Sequence, residues 1–279
     1  MKYLKQKLIM ILGIGIIIGI GSIVTYLVID SSNNANFRMK MHDPIQILSD
    51  DDFRSVKRAG SGSENDPYII SNYQIDASGE HEPAIAVENT QKHFIIINCS
   101  ISTNYVAIRF KNVVAGTAKI IGNNCTSKNN DGAGINLILS DSCEIKNNTC
   151  SFFFQGIHLN TAKNNLIQNN LIKNSSGDGI NLRTSSSNVI MQNMIESNAN
   201  YGLSFVLSSR NNLAYCNRFL NNGLSFAALD QNHGYDENAS NLWYNTDSEQ
   251  GNFWSNYDGS GNYVIEGSVS NEDIFPLTD

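Results

Sequence analysis

Residues 134–222 write one phrase four times: Gly134-Ile-Asn-Leu137, Gly156-Ile-His-Leu159, Gly179-Ile-Asn-Leu182 and Gly202-Leu-Ser-Phe205. The glycines step by 22, 23 and 23 residues. A second phrase trails each first one: Ile145-Lys-Asn-Asn148, Ile167-Gln-Asn-Asn170, Ile190-Met-Gln-Asn193 and Ala214-Tyr-Cys-Asn217. A fixed period of this length marks a solenoid. Inside each unit, apolar and polar residues alternate (Ile157 and Leu159, Ile180 and Leu182), which is the period of a strand with one buried face. No unit has room for a helix. Short strands broken by Asn, Ser and Gly turns and stacked in register give an all-β, parallel β-helix.

The columns extend outward from that stretch. One reads Ile85, Ile108, Ile135, Ile157, Ile180, Leu203, Leu224; its partner reads Val87, Phe110, Leu137, Leu159, Leu182, Phe205, Phe226. The second-strand column reads Ile69, Ile95, Ile121, Ile145, Ile167, Ile190, Ala214, Leu242. Three residues after each of these stands an Asn: Asn72, Asn98, Asn124, Asn148, Asn170, Asn193, Asn217, Asn245. Together they predict about eight coils, a rod of roughly 35–40 Å at the usual strand spacing. Asn tolerates left-handed turns, and stacked amides hydrogen-bond from coil to coil, so this column is expected to be a structural ladder.

The chain has 279 residues and a net charge of −7, which argues against nucleic acid as a partner. Lys2, Lys5 and Lys7 precede Leu8–Ile29, a run of 22 residues without charge. That length spans a bilayer, and the basic flank places the N-terminus in the cytoplasm and the β-helix outside. The length and flanks favour an uncleaved anchor over a secreted protein with a cleaved signal peptide. Gly15 and Gly19 make a GxxxG pair, read first as ordinary membrane-helix glycines. The expected organisation is a basic flank and anchor over 1–29, a stalk over 30–48, and an N-terminal cap with the first coil over 49–83. The repeats follow over 84–245, and a C-terminal cap over 246–279. Both Trp residues fall in the C-terminal stretch from Asn241 on, where the repeat phrase breaks, at Trp243 and Trp254. They read as a cap over the core's open end, with a sugar-stacking platform as the alternative.

Three stretches carry a family likeness: Gly60-Ser-Gly with Asp66-Pro-Tyr-Ile-Ile70, the Asn-Asn coils, and Gly251-Asn-Phe-Trp-Ser-Asn-Tyr257 followed by Asp273-Ile-Phe-Pro-Leu277. Over about 50–279 the chain resembles the NosD-like right-handed parallel β-helix proteins. The resemblance implies an extracytoplasmic right-handed β-helix. It carries two functional associations: maturation of the copper centre of nitrous oxide reductase for the namesake, and carbohydrate binding or sugar hydrolysis for related repeats. Many relatives continue into an acidic loop suited to Ca²⁺. Here that loop is Asp258-Gly-Ser-Gly-Asn262, with one carboxylate, too few for a site that wants six or more oxygens.

The outward positions of the first strand place Arg109, Lys111, Asn136, His158, Asn160, Asn181 and Arg183 on one face, with Asp178 in the turn before it. Such a strip suits a polysaccharide or other surface polymer, its cations meeting carboxylates and its amides meeting hydroxyls. A catalytic reading makes His158, Arg183 and Asp178 the candidates of a polyuronate lyase or epimerase, with His158 or a lysine as base and Arg109 or Arg183 neutralising the carboxylate. Paired carboxylates for a glycosidase are lacking. His42, His81, His93, His158 and His233 show no ligand spacing with cysteine, so no metal is expected. Cys99 and Cys125 follow Asn residues in successive coils, which is compatible with a disulfide, whereas Cys150 reads as a buried hydrophobe. Asn174-Ser-Ser and Asn238-Ala-Ser are glycosylation sequons in expected turns.

Overall fold

The computed structural model describes residues 39–225 and 233–278. Their strands all lie in the unit Lys40–Asp279 and stack into three sheets, each strand hydrogen-bonding to its counterpart one coil on. Sheet I has seven strands, sheet II nine and sheet III ten. Every pairing between successive coils is parallel; the single antiparallel strand pair joins Tyr263–Gly267 to Asn271–Asp273 at the C-terminal end. The fold is a parallel β-solenoid of the right-handed type. Seven strands in sheet I make about six full turns, fewer than the eight coils expected. The Leu8–Ile29 segment lies outside the described residues; among those described, no helix is long and apolar enough to cross a membrane.

The core is built from inward columns. In sheet III, Ile85, Ile108, Ile135, Ile157, Ile180 and Leu203 stack in register, and Val87, Phe110, Leu137, Leu159, Leu182 and Phe205 stack beside them. All are buried. The expected last members are wrong. Leu203 pairs with Gly234 and Phe205 with Asp236, while Leu224 is exposed and Phe226 lies outside the described residues. The next strand of the sheet is Gly234–Asp236, beyond both expected positions in the sequence.

Sheet I corrects a second column. The inward series is Ile70, Ile96, Ile120, Ile145, Ile167, Ile190 and Ala214, so Ile69, Ile95 and Ile121 are one residue out of phase. The series ends on buried Trp243, since Leu213 pairs with Leu242 and Ala214 sits beside it.

The Asn doublets divide two tasks that the sequence merged. The first Asn makes the left-handed corner: Asn72, Asn98, Asn147 and Asn169 have φ between 52° and 57°. The second forms the ladder in the doublets at 147–148 and 169–170, and the full series is Asn123–Asn148–Asn170–Asn193–Asn217–Asn252, with Gly122 as the corner before Asn123. Asn124 and Asn245 are therefore not rungs, and Cys99 takes the position below Asn123. Each rung's Oδ1 accepts from the backbone and side chain of the rung before, and its Nδ2 also donates to a carbonyl of sheet I. Two further ladders line the other corners: Asn165–Asn188–Asn212–Asn241, and Ser175–Asn198–Asn222. Backbone groups at three corners are paired from coil to coil by these buried side chains, which answers the demand that buried backbone be hydrogen-bonded.

Both ends are closed by aromatics. At the N-terminal end the short helix Phe53–Val56 drops Phe53 onto Tyr68 and Phe94. The strands Lys40–Met41 and Ile45–Ile47 already belong to sheets II and III, within the stretch expected to be stalk. At the C-terminal end Phe219, Trp254 and Tyr263 stack with interplanar angles of 7° and 4°. Trp243 and Trp254 are 0% and 1% exposed, so they cap the core and cannot serve as a sugar platform.

His233 closes the third ladder, within hydrogen-bond reach of Asn222 Nδ2 at 3.3 Å and Ser255 Oγ at 3.1 Å. Burial holds its imidazole down at about 4. Between pH 6.5 and 4 the unfolded chain takes up a proton that the folded chain refuses. Stability is then lost as pH falls through that window, by on the order of 3 kcal/mol for a buried His shifted this far. A thermal-melt series should show this acid loss in the wild type and a shallower slope in His233→Gln. Equal slopes would contradict the assignment.

Candidate functional site

The outward face of sheet III carries the residues expected to form the strip, in the expected register. Arg109 pairs with Asn136, Asn136 with His158, and His158 with Asn181; Lys111 pairs with Ile138, Ile138 with Asn160, and Asn160 with Arg183. The two columns arise because each strand has an odd–even alternation locked by its buried Ile and Leu. Gly156 holds one end of its strand close to the next coil. A Cβ there would come within 2.6 Å of the Gly179 carbonyl oxygen and closer still to Ile172.

The electrostatics differ from a simple cationic grip. Arg109 Nη2 is bound to Glu88 Oε1 at 2.6 Å, on side chains only 20% and 14% exposed. Its charge is therefore already met by a carboxylate from the previous coil. Lys111 and Arg183 are exposed. Asp178 lies against the face: its Oδ2 accepts from Asn181 Nδ2 at 2.9 Å and Ser204 Oγ at 2.6 Å, and its Oδ1 accepts from the Tyr201 N–H. Burial raises its carboxyl above the usual range, against those hydrogen bonds. Burial first, then the Arg183 charge, lowers the His158 imidazole to about 4, so it is neutral at neutral pH. Two polar atoms of the strip are buried and have no partner among the described residues: Arg109 Nε, a donor, and Asn136 Oδ1, an acceptor, on neighbouring strands.

Four exposed apolar residues in the turns bordering sheet III were not singled out by the sequence. Leu139 and Leu207 stand at one end of the strands, Phe152 and Phe154 at the other, all four between 44% and 53% exposed. Leu139, Phe152 and Leu207 hold φ of 48°, 63° and 50°. Other coils fill the same turns with Asn or Thr, such as Asn112, Thr161 and Asn174. Bulky apolar residues are costly in that conformation, and such residues cluster at functional sites. The available signal was an apolar side chain at a turn position that its sister coils give to Asn or Thr.

Residues 29–259 match the family described as periplasmic copper-binding protein (NosD). The chain belongs to the NosD family. That description agrees with a β-helix placed outside the cytoplasm. Among solved structures, a periplasmic alginate epimerase is similar over 63% of this chain and 45% of its own, at 17% identity and a TM-score of 0.49. The Dettilon tailspike protein is similar over 71% of this chain and 48% of its own, at 11% identity and a TM-score of 0.38. This NosD-family chain thus spans about half the length of the solved chains it matches. No curated protein matches it.

Among the described residues no three His, Cys, Asp or Glu side chains gather at one point. Four of the five cysteines are buried, and His233 is held between Asn222 and Ser255. Asp258 spends its Oδ1 on the Ser260 N–H and hydroxyl, closing its own turn.

Proposed function

We propose that the outward face of sheet III binds a polyhydroxyl polymer, a carbohydrate chain, outside the cell. The observation that carries this reading is the unpartnered donor and acceptor, Arg109 Nε and Asn136 Oδ1, on register-paired residues of neighbouring strands. A buried polar group without a partner costs free energy that a hydroxyl, which both donates and accepts, recovers. Asn160 and a neutral His158 continue the same chemistry on the next coil. Leu139, Phe152, Phe154 and Leu207 supply apolar walls for the carbon faces of sugar rings. Glu88 occupies Arg109 and Asp178 adds a carboxylate, so the face favours a neutral chain over a polyuronate.

Affinity electrophoresis of the full chain in gels containing neutral or uronate polysaccharides tests this. Retardation by a neutral chain, unchanged from low to high salt, is expected, because no ion pair with the ligand is broken. Asn136→Ala should weaken it about fivefold to tenfold, the worth of one hydrogen bond. Binding restricted to polyuronates and abolished by salt, or no retardation at all, would overturn the reading.

A catalytic second reading rests on His158, a half-buried neutral imidazole beside the Arg183 charge. It would act as the base of a lyase or epimerase. Ultraviolet absorbance from unsaturated sugar ends, lost in His158→Ala, would support the lyase branch. Exchange of the C5 proton with solvent would report epimerisation.

A further inference from the structure

Five cysteines lie in the chain, and the strand register sets two of them, Cys125 and Cys150, directly opposite each other. Cys125 and Cys150 are direct register partners on adjacent parallel strands of sheet II, both facing the core and both 0% exposed. Their column reads Ile75, Ile101, Cys125, Cys150, Ile172, Ile195, Phe219 and Trp254. The two thiols interrupt a series of large hydrocarbons at consecutive coils. Cys99, expected to stack on Cys125, instead occupies the corner beneath Asn123, and Cys125 stacks on Ile101. Cys143 sits at a different corner, below Asn165.

We propose that Cys125 and Cys150 are joined by a disulfide in the exported protein, a covalent staple across one coil. Adjacent strands hold Cα atoms about 4.8 Å apart, inside the window that a disulfide spans, and the Cβ atoms need to close by about 1 Å. The column supplies a reason for the staple. Its steps run 24 residues from Ile101 to Cys125, 25 from Cys125 to Cys150, and 22 from Cys150 to Ile172. The coil shortens there, and a one-residue slip would turn every buried side chain outward. A bond between the two coils fixes the register where the repeat length changes.

The chemistry is thiol–disulfide exchange with a small-molecule or protein disulfide of an oxidising compartment. One cysteine thiolate attacks that disulfide and expels one thiol, leaving a mixed disulfide. The second thiolate displaces the other. Two cysteine thiols and one external disulfide give the staple and two external thiols. In the folded chain the Cys150 side chain, with burial, pushes the Cys125 thiol well above its ordinary value, so exchange belongs to the stage before this coil closes.

The test is peptide mapping of the full chain exported to an oxidising compartment, alkylated in denaturant at harvest without reductant. The expected result is one linked pair of peptides carrying Cys125 and Cys150, with Cys99, Cys143 and Cys216 alkylated. In Cys150→Ala that linked pair should vanish and all four remaining thiols should alkylate. Five alkylated thiols in the wild type, or a linkage between any other pair, would overturn the proposal.

Discussion

Asn170→Ala should lower the melting temperature by about 10 °C, whereas Asn169→Gly, one residue away, should leave it nearly unchanged. Asn170 is the middle rung of the longest ladder. Its Nδ2 donates to the Ile145 carbonyl at 2.9 Å and to Asn193 Oδ1 at 3.0 Å; its Oδ1 accepts from the N–H and Nδ2 of Asn148. The side chain is 1% exposed, so water cannot replace it. Truncation strands several buried groups at about 1–3 kcal/mol each, or roughly 3–5 kcal/mol in all. For a domain of this size that is about 2–4 °C per kcal/mol. Asn169 makes the corner, at a φ of 56°. Glycine adopts that conformation without strain, so its cost and gain nearly cancel. Equal melting shifts in the two variants would show that the doublet does not divide turn from ladder.

Asp273→Ala should open the C-terminal cap, costing about 3–5 kcal/mol and shifting tryptophan emission to the red. Asp273 Oδ2 accepts from the Asn252 N–H at 2.6 Å and from Trp254 Nε1 at 2.9 Å; Oδ1 accepts from the Phe275 N–H. Asn252 is the last rung of the main ladder, so the carboxylate fastens ladder and aromatic cap at one point. Asp236 does the same for the second ladder, accepting from Asn241 Nδ2 at 2.7 Å and Trp243 Nε1 at 2.9 Å. Burial raises both carboxyls above the usual range against these hydrogen bonds. Asp273→Asn keeps the shape but turns an amide N–H toward a donor, so it should lose most of the same stability. An unshifted melt in either variant would contradict the fastening role.

The sequence made sheet III legible because its strands read Gly-Ile-x-Leu with one apolar phase. Sheet I was harder. Ile69-Ile70 and Phe94-Ile-Ile-Ile97 are apolar at consecutive positions, so alternation cannot say which Ile faces inward. Both faces are buried there, and the register of the first coils slipped by one. The ladder failed at Asn123-Asn124 for the same reason: two identical residues, one rung. The ligand strip was legible as placement, since alternation fixes which side chains face outward. Its electrostatics were not, because Glu88 and Arg109 lie 21 residues apart and meet only through register. Its apolar walls were overlooked because single exposed Leu and Phe residues in turns look ordinary until their backbone is known.

The most direct measurement compares two double variants by affinity electrophoresis against a neutral polysaccharide that retards the wild type. One, Asn136→Ala with Asn160→Ala, removes amides from the outward face of sheet III. The other, Gln168→Ala with Met191→Ala, alters the outward face of sheet I. With melting temperatures matched, the account predicts at least tenfold weaker binding for the first and wild-type binding for the second. Undiminished binding by the first, or loss confined to the second, would place the polymer elsewhere on the solenoid and contradict the account.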